Sequence, residues 1–207
     1  SDREDHLTVN GLYFEKNEGW HGVLIEANPH VVPVLHKLRG ENNIIVHSAV
    51  GRESGACTLQ IDYEGSHLTY VEKHVLPELK QSHREGGSKF TSEVVNLETL
   101  ATIMPAVAQH SPVTHIDVMF LDVEGSELPV LEGWDWHIPI YVMVIEMFPS
   151  ATDPDTLAQY DKIRDILREQ GYVFNKQHSS NEIWHLPTYR DGTTTLLRER
   201  EIELRIR

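Results

Sequence analysis

Four apolar runs punctuate the chain, "GVLIE", "NIIVHSAV", "IDVMFLDV" and "YVMVIEMF". Rich in Val and Ile and without polar alternation, they suit strands buried on both faces, as in a parallel sheet covered by helices. Between them the apolar period lengthens to that of a helix. Residues 153–170 carry the clearest signal: Asp153 is placed to cap, Pro154 takes the first helical position, Leu157, Tyr160, Ile163 and Leu167 share one face, and Gly171 marks the stop. "GLYFEKNEGW" predicts a helix closed near Gly19. Asn28 and Pro29 open another that runs to Gly40, its start shifted by Pro33, which lacks a backbone donor. "NLETLATIM" predicts a helix capped by Asn96 and ending before Pro105, and Ser126 caps a short helix ending at Gly133. Strands alternating with helices predict right-handed βαβ units and hence an α/β fold with a doubly wound sheet.

Two stretches depart from this rhythm. Over residues 56–93, "CTLQIDYEG" reads as an extra strand and "QSHREGGSKF" as a mobile loop, together an insertion over the sheet edge. After the long helix, "GYVFNKQ" and "NEIWHLP" pair as an antiparallel hairpin at the end of the sheet. Beyond about residue 188 lies an extension whose Asp191-Gly192 turn and alternating "IELRIR" read either as a final ribbon or as a charged helix. The 207 residues suit a single core better than two, so residues 1–207 are expected to form one domain.

Composition removes several classes of function. A net charge of -14 without a basic stripe repels a polyphosphate backbone, so nucleic acid is not an expected partner. No apolar run approaches the roughly 20 residues of a membrane helix. The polar start "SDREDHLTVN" has no signal peptide, and the single Cys57 cannot close an internal disulfide, which fits a reducing, cytoplasmic setting. Cys57 itself reads as a small strand residue. Thirteen histidines form no H-x-x-x-H or H-E-x-x-H pattern, so no metal motif is expected, although His47, His115 and His137 fall near strand ends. Trp20, Trp134 and Trp136 read as packing anchors, since no basic groove accompanies them.

Chemistry enters where the strands stop. Three apolar runs end in acid, at Glu26, Asp122 and Glu146, and parallel strands all end on one side, where open α/β sheets bind ligands. Like charges so placed raise one another's pKa, a cost that a ligand or metal would offset. Glu26 is a poor N-cap and fits the acid that accepts hydrogen bonds from a ribose diol. Ser48 and Ala49 have the small size that lets an adenine lie against the backbone. Asp122 and Glu124 flank one residue, and Gly125 allows the chain to turn back over a ligand. Either acid could hold an amine, take a proton from a hydroxyl or bind a hard divalent cation.

In order along the chain, "NGLYFEKNEGWHGVLIEANP", "HSAVG", "FLDVEGSELPVLEGW", "VMVIEMF" and "NEIWHL" resemble the signatures of the FkbM family of S-adenosylmethionine-dependent methyltransferases, over roughly residues 10–186. The resemblance implies a Rossmann-like methyltransferase fold, a mostly parallel sheet with helices on both faces and an antiparallel hairpin at one end. It implies S-adenosylmethionine as cofactor and O-methylation of a small-molecule or sugar hydroxyl. By position, Glu26 would take the ribose hydroxyls with Asn28 beside it, Ser48 and Ala49 would border the adenine, and Asp122 would lie by the methionine part. Glu124 would face the reacting methyl as general base.

Two departures accompany the likeness. Phe120 stands where family members often carry Lys or Ser, and "SDREDHLTVNG" holds neither the first apolar strand nor its glycine-rich turn, for which Gly86 and Gly87 cannot substitute. That strand would be the central one, between "GVLIE" and "IDVMFLDV". A segment of a longer protein is expected, with association through the gap or a cofactor loop lost in a degenerate relative as alternatives. The competing functions are a non-catalytic binding protein on a decayed methyltransferase fold and a divalent-metal hydrolase using Asp122, Glu124 and Glu146.

Overall fold

All four apolar runs become strands, and one of them is divided. The computed structural model describes residues 9–39, 43–62, 69–74, 89–110 and 113–187. The order is α1 (Val9–Glu18), β1 (Gly22–Glu26), α2 (Val32–Arg39), β2 (Asn43–His47), β3 (Ala49–Val50), β4 (Gly55–Asp62), β5 (Thr69–Val71) and β6 (Phe90–Glu98). There follow α3 (Leu100–Ala108), β7 (Ile116–Leu121), α4 (Glu127–Glu132), β8 (Ile140–Glu146), α5 (Pro154–Glu169), β9 (Val173–His178) and β10 (Asn181–His185). Gly40, Gly86, Gly87, the Asp191-Gly192 turn and "IELRIR" lie outside the described residues.

Among the described residues the strands form three sheets, ordered β1-β2, β7-β8-β10-β9 and β3-β6-β4-β5. This corrects the expectation of one mostly parallel sheet, and the fold is mixed α/β. Among the described residues parallel pairing is confined to β1 with β2, β7 with β8, and β3 with β6; β10 runs antiparallel to β8 and β9, as does β4 to β5 and β6. The hairpin after the long helix forms as expected. "NIIVHSAV" is cut at Ser48, because β2 follows β1 whereas β3 leaves to join β6.

The β6 strand explains a second correction. Asn96 lies within β6, where Val95 and Leu97 are buried and Val94 and Asn96 face out, so the alternation belongs to a strand and not to a helix start. Thr99 caps α3 instead, its hydroxyl accepting from the Thr102 amide at 3.0 Å. Nor does α3 stop before Pro105. Leu100, Ile103, Met104 and Val107 bury one face on either side of the proline, and that burial offsets the roughly 3 kcal/mol cost of a proline inside a helix. In α2 the proline has the expected effect: the helix begins only at Val32, one residue before Pro33.

Met143 and Ile145 of β8 pack with Leu131, Ile163 and Leu167 from α4 and α5. Val142 and Val144 pack on the opposite face with Ile183, Val118 and Phe120. Cys57, Leu59, Ile61, Val71, Val95 and Leu97 form a separate cluster on the β3-β6-β4-β5 sheet. Among the described residues β1 pairs only with β2 and β7 only with β8. Both line one cleft of about 1420 Å³, at the position where the family likeness puts a further strand. Phe14 of α1 and Phe120 of β7 approach across it, ring centroids 6.4 Å apart. No helix among the described residues is long and apolar enough to cross a membrane.

Candidate functional site

Glu26 ends β1 at the cleft, where its Oε1 accepts the Asn28 amide at 2.7 Å. Asn28 in turn accepts the His30 amide on Oδ1 at 2.9 Å and donates from Nδ2 to Thr69 Oγ1 at 3.2 Å. The short turn after the strand is thus tied by side chains to its own backbone and to β5. Burial raises the Glu26 pKa, opposed by the Asn28 and Ala27 amides and by His47. Ser48 and Ala49 line the same cleft and are almost fully buried. The Ser48 hydroxyl reaches the carbonyls of Ala49 and Asn96, so its polar atom is committed to backbone.

The facing wall carries the other acids. Leu121 of β7 pairs with Ile145 of β8, which sets the next residues along, Asp122 and Glu146, side by side. Glu124 (φ 52) and Gly125 (φ 90) are both left-handed, and together they reverse the chain so that Glu124 returns to its neighbours. A side chain in that region costs about 1–2 kcal/mol, which glycine avoids. As a result, carboxylate oxygens of Asp122, Glu124 and Glu146 lie within 4.8 Å of one another.

Such crowding has an electrostatic consequence. Glu124 is pushed up to about 7, by burial first and then by the charges of Asp122 and Glu127. Glu146 rises further above the usual carboxylate range, through burial, the neighbouring acids and a hydrogen bond with Asp122. Two carboxyl groups can make that bond only by sharing a proton, so the Asp122–Glu146 pair holds one between them.

A model of the methyltransferase FkbM domain matches residues 8–174. The chain belongs to that family. No curated protein and no solved structure matches it significantly. Membership supports methyltransferase activity, and the motif "DVEGSE" of this FkbM domain is the turn that gathers the acids.

Two members of the site were not anticipated from the sequence. Glu127, at the start of α4, is buried, and its Oε1 accepts the amides of Val123 and Gly125 at 3.1 and 3.3 Å. Burial lifts it to about 7 against the pull of those amides. An acid in the first turn of a helix was the available signal. His74 approaches from the end of β5, its Nδ1 lying 2.9 Å from Ser126 Oγ, and burial pushes it down to about 4. No spacing in the sequence announces a partner 52 residues away. Ser126 occupies the N-cap position of α4, as expected, but its hydroxyl does not cap the helix.

The histidines flagged by position are placed differently. His47 lies near enough to Glu26 to lower its pKa. His115 precedes β7 and therefore sits at the opposite edge from the acids, near Asp117 and against the Tyr141 ring. His137 pairs with Asp135 at 2.6 Å. The tryptophans are anchors: Trp20 stacks on Phe14, Trp134 is buried, and Trp136 meets Tyr172 edge-on.

Proposed function

We propose that the rim of the cleft at the carboxyl ends of β1 and β7 binds S-adenosylmethionine and that the protein uses it to methylate a hydroxyl of a small molecule or sugar. The observation that carries this reading is the convergence of acids on one cleft: Glu26 on one wall, Asp122 and Glu124 on the other, with Glu146 beside those two. The donor set fits the cofactor. A sulfonium and an ammonium group relieve a cluster that otherwise stores like charge, and Glu26 offers a carboxylate to a ribose diol. Asn28 holds the turn that presents Glu26, and Ser48 with Ala49 forms a wall of small side chains for a flat base.

When bound, S-adenosylmethionine supplies an electrophilic methyl carbon on positively charged sulfur. The chain's own residues supply position and a proton acceptor. Glu124, near pKa 7, is about half ionised at neutrality and takes the proton of the acceptor hydroxyl, an effect of roughly 10²–10⁴-fold. Glu146, raised further, shares a proton with Asp122. Asp122 stands where the ammonium group of the donor would lie. In-line approach of oxygen to methyl is set by the walls, and positioning contributes most of the remaining acceleration.

Calorimetric titration with S-adenosylmethionine tests the reading. Binding is expected, weakened about tenfold in Glu26→Gln through loss of a charged hydrogen-bond acceptor. Full-length protein, with any segment that precedes Ser1, that takes up no donor ends the proposal. The three oxygens within 4.8 Å also favour a second reading, a divalent-metal hydrolase built on Asp122, Glu124 and Glu146. Titration with Mn²⁺ alone separates the two, since only the hydrolase requires metal uptake that Asp122→Asn abolishes.

A further inference from the structure

We propose that His74 is a positioning residue for the acid cluster: through Ser126 it holds the Glu124–Gly125 turn in the conformation that keeps Glu124 beside Asp122 and Glu146. A serine at an N-cap normally spends its hydroxyl on the amide two or three residues on. Here the third residue is Pro129, which has no N–H, and the hydroxyl pairs with His74 Nδ1 at 2.9 Å, while Glu127 accepts the amides of Val123 and Gly125. The turn therefore has two supports, one from its own helix and one from the β3-β6-β4-β5 sheet.

The His74 side of that support is built in. The His74 amide bonds the Val71 carbonyl at 3.0 Å, fixing the turn after β5. Its ring packs so closely on Gly51 that a Cβ there would lie 2.7 Å from Cε1. The same corner grips the far end of α4, where Arg52 meets Glu132 at 3.2 Å and the Gly133 backbone packs directly on the Gly51 backbone. Helix α4 is held at both ends by one corner, His74 at its start and Gly51 with Arg52 at its end, with the acid turn at its start. Left-handed Glu124 is the residue in need of such a clamp, because strained backbone persists only where its surroundings over-determine it. Burial keeps His74 neutral well below pH 7, so the contact survives across the range in which Glu124 titrates.

The test uses the full chain and three variants. His74→Phe keeps a ring and removes the nitrogen, His74→Asn keeps a polar atom near the place of Nδ1, and Ser126→Ala removes only a hydroxyl. Amide hydrogen exchange at Val123 and Gly125 reads the turn without any ligand. His74→Phe and Ser126→Ala are each expected to speed it about tenfold, the double variant no more than either, and His74→Asn to restore it, with Val144 and Ile145 unchanged. Unaltered exchange at the turn overturns the proposal, as does a uniform acceleration through β8 that Asn fails to rescue. S-adenosylmethionine affinity, the readout that rests on the proposed function, should weaken about tenfold in parallel. Should the full-length protein bind no donor, that function falls while exchange still decides the role of His74. If the Phe variant does not fold, Ser126→Ala carries the comparison.

Discussion

The two walls of the cleft are built to different standards. Strands β1 and β7, which line it, are both largely half-buried, but β7 is backed by β8, whose Val142, Met143, Val144 and Ile145 are buried on both faces. Strand β8 lies between β7 and β10, with α4 and α5 over one face, whereas β1 has, among the described residues, a single strand partner and the cleft on its other side. The difference shows where rigidity is concentrated. Asp122, Glu124 and Glu146 stand on the wall with the deeper packing, and Glu26 stands on the lighter one. Under the proposed function, the reacting acids are preorganised, and binding of the ribose ties the second wall to the first.

Large-to-small substitutions give the sharpest contrast. Ile145→Ala, at a position with 0% exposure, should cost about 3–4 kcal/mol in urea unfolding, whereas Leu24→Ala on half-buried β1 should cost about 1 kcal/mol. Equal losses would mean that the walls are equally packed. Next in size is the corner that grips α4. A Cβ at Gly133 would overlap the Gly51 carbonyl oxygen and crowd the Arg52 backbone, so Gly133→Ala should lose about 2–3 kcal/mol by forcing the helix outward. An unchanged urea midpoint would show that the corner yields.

The reason this asymmetry was only partly visible beforehand is physical. Strand identity was legible because Val and Ile runs have few alternatives, and the acid at each strand end followed from parallel pairing, which fixes where Asp122 and Glu146 must meet. The strand Phe90–Glu98 was not legible, because its burial needs the partners β4 and β3, and "NLETLATIM" offers a helix pattern at the same place. The partner of Ser126 was hidden for the same reason: side-chain pairing between His74 and Ser126 is a property of the β3-β6-β4-β5 sheet lying against α4, not of any spacing. Asn96 and Thr99 could both cap, and only the extent of β6 decides between them.

The stiff wall also has its own pH signature. Glu124 and Glu127 sit near 7 when folded against a reference of 4.5, so the folded state keeps protons that the unfolded chain has released. Their stabilisation is complete below pH 4.5 and is lost as pH rises through 7, and Glu146 extends the loss higher. His74 acts in the opposite sense, since its shift from 6.5 to about 4 favours the folded state increasingly from pH 4 to 6.5. Above pH 6.5 the carboxyls act without that opposition. Stability should fall on the order of 2 kcal/mol between pH 6.5 and 8, and Glu124→Gln should make the decline shallower. Urea midpoints that stay level or rise over this interval would contradict the placement of these acids.

The smallest effects come from a matched pair of polar deletions. Thr99 caps α3 through one hydroxyl, and α3 packs Leu100 and Met104 into the core that also holds Ile145. Thr99→Ala should cost about 1 kcal/mol, and Thr99→Ser almost nothing, because the cap oxygen remains. Asn28 on the lighter wall makes two side-chain bonds, to the His30 amide and to Thr69 of β5, and so joins β1 to the β3-β6-β4-β5 sheet. Asn28→Ala should also cost about 1 kcal/mol in global stability, but its effect is expected to be local as well. The Glu26 turn loses its tie to β5, so amide exchange should rise at His30 and along β1 while β8 is unaffected. Thr99→Ala should leave exchange on both walls in proportion to global stability. If the two variants give the same exchange pattern, the walls unfold together, and the contrast in burial has no counterpart in local stability.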